Sequence, residues 1–196
     1  MTVSVQDIVK LRELTGAGMS KAKEALTEAD GDLTKAQEIL RIKGMASADK
    51  KSDREASAGL IGSYVHNGRI GVIVEVNCET EFVTKTDDFK ELVEELSLHI
   101  AAIAPQYVSR AEVPEDTIAK EKALFLEEVK ESGKAAEHAD KIVEGKLDKW
   151  LGSICLLEQK YYKDDSQTIE EYVKSVIGKL GENIVVRRFA RLELGQ

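Results

Sequence analysis

Leu60-Ile61-Gly62-Ser63-Tyr64-Val65-His66-Asn67-Gly68-Arg69-Ile70-Gly71-Val72-Ile73-Val74-Glu75-Val76 reads as two strands and the turn between them. Asn-Gly between β-rich runs is the strongest short-range hairpin signal, because both central residues of a type I′ turn need positive φ. A two-residue turn fixes the register, setting Val65 opposite Ile70 and Ile61 opposite Val74 on one face of the pair. A further strand is expected from Ile184 to Leu194, giving an antiparallel sheet of at least three strands.

Between the hairpin and that last strand the chain carries a helical period. Phe89, Leu92, Val93, Leu96, Ile100 and Ile103 fit one face of a helix that starts near Thr86 and stops before Pro105. Pro114 opens another, with Ile118, Phe125, Leu126 and Val129 inward and Gly133 beyond its end. Ala139, Ile142, Val143, Leu147 and Trp150 set out a third. Ile169, Tyr172, Val173, Val176, Ile177 and Leu180 set out a fourth, closed by Gly181. One sheet with helices around it reads as an α+β core over residues 59–196.

Upstream, residues 1–45 read as a bundle of three short helices. Ser4 with Asp7 makes an N-cap pair, and Val5, Ile8, Val9 and Leu11 follow at helical spacing. Thr15-Gly16-Ala17-Gly18-Met19 breaks the pattern, since two glycines in four positions disfavour helix. Ser20 can cap a second helix in which Ala22, Ala25, Leu26 and Ala29 line up. Asp30-Gly31-Asp32 signals a turn and a cap, and Leu33, Ala36, Ile39 and Leu40 supply a third stripe that Gly44 closes. Residues 46–58 are small, polar and mixed in charge, without an apolar stripe, and read as a partly helical connector.

Composition removes several function classes. The net charge of −8 argues against a broad electrostatic footprint for nucleic acid. The first 45 residues carry seven basic and seven acidic side chains, so the whole deficit lies beyond them. No stretch approaches the roughly 18 to 20 apolar residues needed to span a membrane. The N-terminus lacks the basic-then-apolar layout of a secretory signal, so a cytoplasmic location is expected. Cys78 and Cys155 are too few for a disulfide framework or a four-cysteine zinc site, and read as small buried residues in a reducing compartment. His66, His99 and His138 fall on separate elements with no pair at metal-ligand spacing, so neither a metal nor a cofactor is expected. Without G-x-x-x-x-G-K-[ST], the chain is not expected to bind GTP itself.

Four segments carry a resemblance to elongation factor Ts. They are Val9-Lys10-Leu11-Arg12-Glu13-Leu14-Thr15-Gly16-Ala17-Gly18-Met19, followed by Lys23-Glu24-Ala25-Leu26; Gly71-Val72-Ile73-Val74-Glu75-Val76-Asn77-Cys78-Glu79-Thr80-Glu81-Phe82-Val83; His99-Ile100-Ala101 with Pro105 after it; and Gly181-Glu182-Asn183-Ile184-Val185-Val186-Arg187-Arg188-Phe189. Their order and spacing span nearly the whole chain, and the set is highly specific.

The resemblance implies a ubiquitin-associated-like three-helix bundle joined to an α+β core. It also implies the activity, which is that of a guanine-nucleotide exchange factor releasing GDP from elongation factor Tu, and not of an enzyme. In the family the bundle and the core grip the partner's nucleotide domain. A segment just after the second strand is pushed between two of the partner's helices and disturbs its magnesium site. By resemblance that segment is Thr80, Glu81, Phe82 and Val83, with Phe82 as an apolar wedge. The family has aspartate where this chain has Glu81, whose carboxylate reaches about 1.5 Å further. Arg12, Gly16, Gly18 and Met19 match partner contacts of the bundle, with Ser20 where many members have a second methionine. His66 and Leu180 match contact positions of the core. Longer members have two related core halves and a helical hairpin insertion, whereas this chain has one half and lacks that insertion. A single half leaves apolar surface unmatched, so a homodimer is expected that rebuilds the two halves by two-fold symmetry and binds two partner molecules.

Plainer readings stand beside these. A phenylalanine at a strand end is most often core, and the motif around Phe82 reverses that. Thr15 to Met19 can serve only as an interhelical turn. His66 alone reads as a solvent-facing hairpin residue, His99 as a satisfied and partly buried histidine, and His138 as surface. Leu180 fits the last core residue of its helix as well as a contact, and the acidic run from Glu112 to Glu131 fits a solvated helix face. Two rival functions remain. One is a cysteine hydrolase or redox enzyme using Cys78, for which no signature and no cause of a lowered thiol pKa is present. The other is a non-catalytic adaptor or chaperone-type binding module for elongation factor Tu.

Overall fold

The computed structural model describes residues 3–131 and 139–196, so that Gly133 and His138 lie outside the described residues. Elements follow in the order α1 (Val5–Thr15), α2 (Met19–Glu28), α3 (Leu33–Asp49), β1 (Ala58–His66), β2 (Ile70–Cys78), α4 (Glu81–Thr84), α5 (Asp87–Ile103), α6 (Glu115–Glu131), α7 (Ala139–Ile154), β3 (Lys160–Tyr161), β4 (Asp164–Thr168), α8 (Ile169–Leu180) and β5 (Ile184–Glu193). The chain is α+β, as its sequence implies: three N-terminal helices, then an antiparallel sheet packed with helices.

The described residues fall into two compact units. The first takes those of Met1–Leu60, Val76–Val93 and Glu171–Val185. Its bundle starts where Ser4 Oγ accepts the Asp7 N–H at 3.1 Å. Ile8, Leu11, Ala22, Ala25, Leu26, Ala29 and Ala36 form one core, small enough in side chain for the three helices to approach closely. Val5 and Val9, read as part of the same stripe, are exposed, so α1 buries a narrower face than its spacing suggests. Two caps differ from expectation. Gly18, extended at φ −64 and ψ 151, is the N-cap of α2, which puts Ser20 inside the first turn, bonded to Glu24 Oε1 at 3.1 Å. Gly44 does not close α3, which runs on to Asp49 through the start of the expected connector. The glycine serves packing instead: a Cβ on Gly178 of α8 would lie 3.0 Å from the Gly44 Cα, so the two helices meet where neither has a side chain.

The second unit takes Ile61–Glu75, Glu94–Glu170 and Val186–Gln196. Asn67 and Gly68 adopt φ 50 and 67, and the Arg69 N–H reaches His66 O at 2.9 Å, closing the two-residue turn. Here α6 packs on α7, and Val113, Leu151, Ile154 and Cys155 form a core with Tyr107, Ile118, Leu147 and Trp150 against it. The small β3–β4 sheet has no counterpart in the sequence reading, because Asp164-Asp165-Ser166-Gln167-Thr168 shows no apolar alternation. Buried Glu95 on α5 holds this region, accepting from Tyr161 Oη at 2.6 Å, Tyr162 Oη at 2.8 Å and Lys163 Nζ.

The main sheet has the order β1-β2-β5. As the central strand, β2 buries Val72, Val74, Val76 and Cys78. Along β1 the buried position is Gly62, with Leu60 and Tyr64 half-buried. Ile61 and Val65, expected on the face of Val74, therefore fall on the alternate, outer face instead and are 65% and 66% exposed; Ile73 is likewise exposed on β2.

Candidate functional site

Between the end of β2 and the start of α5 the chain makes α4, a helix of four residues. So short a helix cannot hold itself in water, so neighbouring groups must fix it. Val83 turns inward at 7% exposure, while Phe82 turns outward at 81%. Lys85 Nζ lies 5.9 Å from the Phe82 ring centroid. Glu81 is exposed beside it.

The base of this segment is tied to the loop between α8 and β5. The Glu182 carboxylate accepts the Thr80 N–H at 2.9 Å on one oxygen and the Thr80 hydroxyl at 2.6 Å on the other. In return Glu79 Oε1 accepts the Asn183 N–H at 2.6 Å, with Arg54 3.5 Å away. Asn183, itself buried, donates from Nδ2 to Arg54 O at 2.8 Å and to Ser52 O at 3.2 Å. All these residues belong to the first unit.

The bundle loop is anchored in the same unit. Gly16, at φ 66, ends α1 by donating its N–H to Arg12 O at 2.7 Å. Lys179 of α8 passes directly over it and pairs with Asp88 in the first turn of α5. Arg12, Gly18 and Met19 are exposed around this loop, and Leu180 is half-buried at the end of α8. The first unit therefore contains Arg12, Gly16, Gly18, Met19, Leu180 and the whole Thr80–Val83 segment. His66 belongs to the second unit, where it is exposed, with Nδ1 3.0 Å from Tyr64 Oη and Nε2 3.2 Å from Asn67 Nδ2.

Glu79, Glu182, Asn183 and Lys179 hold this framework, and the sequence reading gave none of them a role. Three of the four fall inside the quoted motifs. The available signal was a glutamate directly beyond a strand end and another directly beyond a helix-closing glycine, both polar residues at turns.

The chemistry at Cys78 runs against a nucleophilic thiol. Its Sγ donates to Thr80 O at 3.2 Å, and burial, reinforced by the negative charge of Glu182, pushes the thiol above its ordinary pKa. Burial likewise raises Cys155. His99 is fully buried, with Nε2 3.0 Å from Gln159 Oε1 and no partner on Nδ1 among the described residues, and burial lowers its pKa. Among the described residues no group of three His, Cys, Asp or Glu could hold a metal ion, and no helix is long and apolar enough to cross a membrane.

Comparison with known proteins identifies the class as that of the translation elongation factors. The profile of the family described as Elongation factor TS matches residues 2–196. Elongation factor Ts of Fervidobacterium nodosum is 53% identical over 197 residues, covering 100% of both chains. That of Coprothermobacter proteolyticus is also 53% identical over 197 residues with the same coverage. That of Geobacter sulfurreducens is 45% identical over 197 residues, covering 100% of this chain and 91% of its own. The chain belongs to the elongation factor Ts family.

Proposed function

We propose that the chain is a guanine-nucleotide exchange factor for elongation factor Tu, releasing GDP by binding alone and without chemistry of its own. The reading is carried by Phe82, 81% exposed on a helix whose base is pinned at Thr80. Such a ring on a fixed support suits insertion between helices of a partner, where a desolvated aromatic anchor concentrates binding energy. A nucleotide held by its phosphates and a magnesium ion loses affinity when the metal shell or the phosphate cradle is displaced. The factor must then prefer the partner with a deformed, empty site. By linkage, factor and nucleotide weaken each other's binding equally.

In this reading Thr80, Glu81, Phe82 and Val83 dislocate the partner's magnesium. Phe82 is the wedge, Val83 its buried anchor, and Glu81 the exposed carboxylate beside it. Arg12, Gly16, Gly18, Met19, Leu180 and His66 supply further partner contacts. Neither a nucleophile, a general base nor a cofactor enters the scheme, and the cytoplasm is where such a factor would work. Release of a fluorescent GDP from elongation factor Tu, with wild type and Phe82→Ala, tests it. Wild type accelerates release, and the variant loses about ten-fold or more. Binding without acceleration would leave the adaptor reading. A fully active Phe82→Ala would move the wedge elsewhere, to the bundle.

The same proposal includes a homodimer acting on two partner molecules. Ile61, Val65, Ile73, Leu192 and Leu194 are large apolar side chains left exposed along or just beyond the strands, more than scattered surface residues need. Sedimentation of the free protein at micromolar concentration should give a dimer, and a strict monomer would end this part of the proposal.

A further inference from the structure

We infer that Glu182 is a positioning residue for nucleotide release, acting through Thr80 on the direction in which Phe82 points. The inference rests on the exchange reading above. Thr80 stands at the N-cap of α4, where a threonine hydroxyl ordinarily accepts a free N–H of the helix. Here it makes no such cap. Its hydroxyl donates to one oxygen of Glu182 at 2.6 Å and its backbone N–H to the other at 2.9 Å. A single hydrogen bond would let the residue swivel, whereas a two-point grip on a carboxylate fixes rotation as well as position, and charge assistance strengthens both bonds.

The neighbouring pair runs the other way, from the Asn183 N–H to Glu79. Residues 79–80 and 182–183 thus share three hydrogen bonds to carboxylates. Asn183 cannot drift, because it is buried and its Nδ2 is held by two backbone carbonyls. Two residues beyond Thr80, the Phe82 ring has solvent over most of its surface. Its aim is therefore set from the base. Docking draws on the other contact residues as well, but deforming the partner's nucleotide site needs a ring that does not yield. Loosening Glu182 should accordingly slow release at saturation much more than it weakens docking.

The test uses the full chain with Glu182→Gln, which keeps one acceptor oxygen, and follows GDP release from elongation factor Tu across a range of factor concentrations. The expected maximum rate falls about ten-fold, while the half-saturating concentration changes by less than about three-fold. Hydrogen exchange of the amides at residues 80–84 should speed up. Thr80→Val, which removes only the hydroxyl bond, should give the same split and serves if Glu182→Gln unfolds. Faster amide exchange with an unchanged maximum rate would make Glu182 merely structural and overturn the inference. So would a change confined to half-saturation. If Phe82→Ala slows release and neither clamp variant does, the inference fails while the exchange reading stands. If wild type itself leaves release unchanged, both fail.

Discussion

Lys179 lies across Gly16: a Cβ at residue 16 would sit 2.1 Å from the lysine Cε, while the ammonium pairs with Asp88. Two effects are superposed at this glycine. Its φ of 66 is left-handed, which costs an alanine about 1–2 kcal/mol. The lysine tail, by contrast, is flexible and can swing away. Gly16→Ala should therefore lose about 1–2 kcal/mol in urea unfolding, and Lys179→Ala, whose pair is a third exposed on both sides, under about 1 kcal/mol. The double variant should keep the Gly16→Ala penalty. Recovery of wild-type stability in the double would show that collision, not backbone conformation, selects glycine.

Adjacent side chains on α4 should separate stability from activity. Val83 is 7% exposed and Phe82 81%. Val83→Ala removes buried methyl groups and should cost about 1–3 kcal/mol. Phe82→Ala should stay within about 0.5 kcal/mol of wild type while losing exchange. Thermal unfolding of the two variants beside the release assay checks the pair. A strongly destabilised Phe82→Ala would mean that the ring packs on its own chain in solution.

The hairpin and the helices that close on glycine were legible because each carries a local rule: Asn67-Gly68 needs positive φ, and Gly181, at φ 83, ends α8. Gly44 was misread for the same reason. A glycine near a helix end looks like a stop, and only the approach of Gly178 shows it to be a contact. Ile61 and Val65 depart from the expected face: burial in β1 falls on Leu60, Gly62 and Tyr64, one residue out of step. A one-residue offset moves every side chain to the other face, which the Asn-Gly rule alone does not fix. The segment around Phe82 was legible through its motif. Its support was not, because Thr80 and Glu182 are 102 residues apart and no local pattern joins them.

His99 predicts a loss of stability on mild acidification. Burial lowers its folded pKa, with Gln159 as its hydrogen-bond partner and the Tyr162 ring 6.1 Å away. A lowered folded pKa means that the unfolded chain binds the proton first. The contribution is therefore present above the unfolded value of about 6.5 and is lost as pH falls towards the folded pKa. Urea unfolding at pH 7.5 and 5.5 should show a drop of about 1 kcal/mol or more for wild type and a smaller one for His99→Gln. Equal drops in both would assign the effect to another group.

Glu95 predicts an acid limb of its own. Burial would raise its carboxyl, but hydrogen bonds from Lys163, Tyr161 and Tyr162 outweigh burial and hold it below its ordinary value. The stabilisation is therefore present above the unfolded carboxylate pKa, about 4.3, and is lost as pH falls below it. The three donors should not weigh equally. Tyr161 is buried, so Tyr161→Phe should cost about 1–2 kcal/mol, whereas the Lys163 side chain is 52% exposed and Lys163→Ala should cost less than about 1 kcal/mol. Glu95→Ala leaves two tyrosine hydroxyls without their acceptor and should be the worst, at about 3 kcal/mol or more. Unfolding of the three variants at pH 7 fixes that order, and a Lys163→Ala loss as large as that of Tyr161→Phe would show that charge, not the buried hydroxyl, holds the β3–β4 sheet to α5.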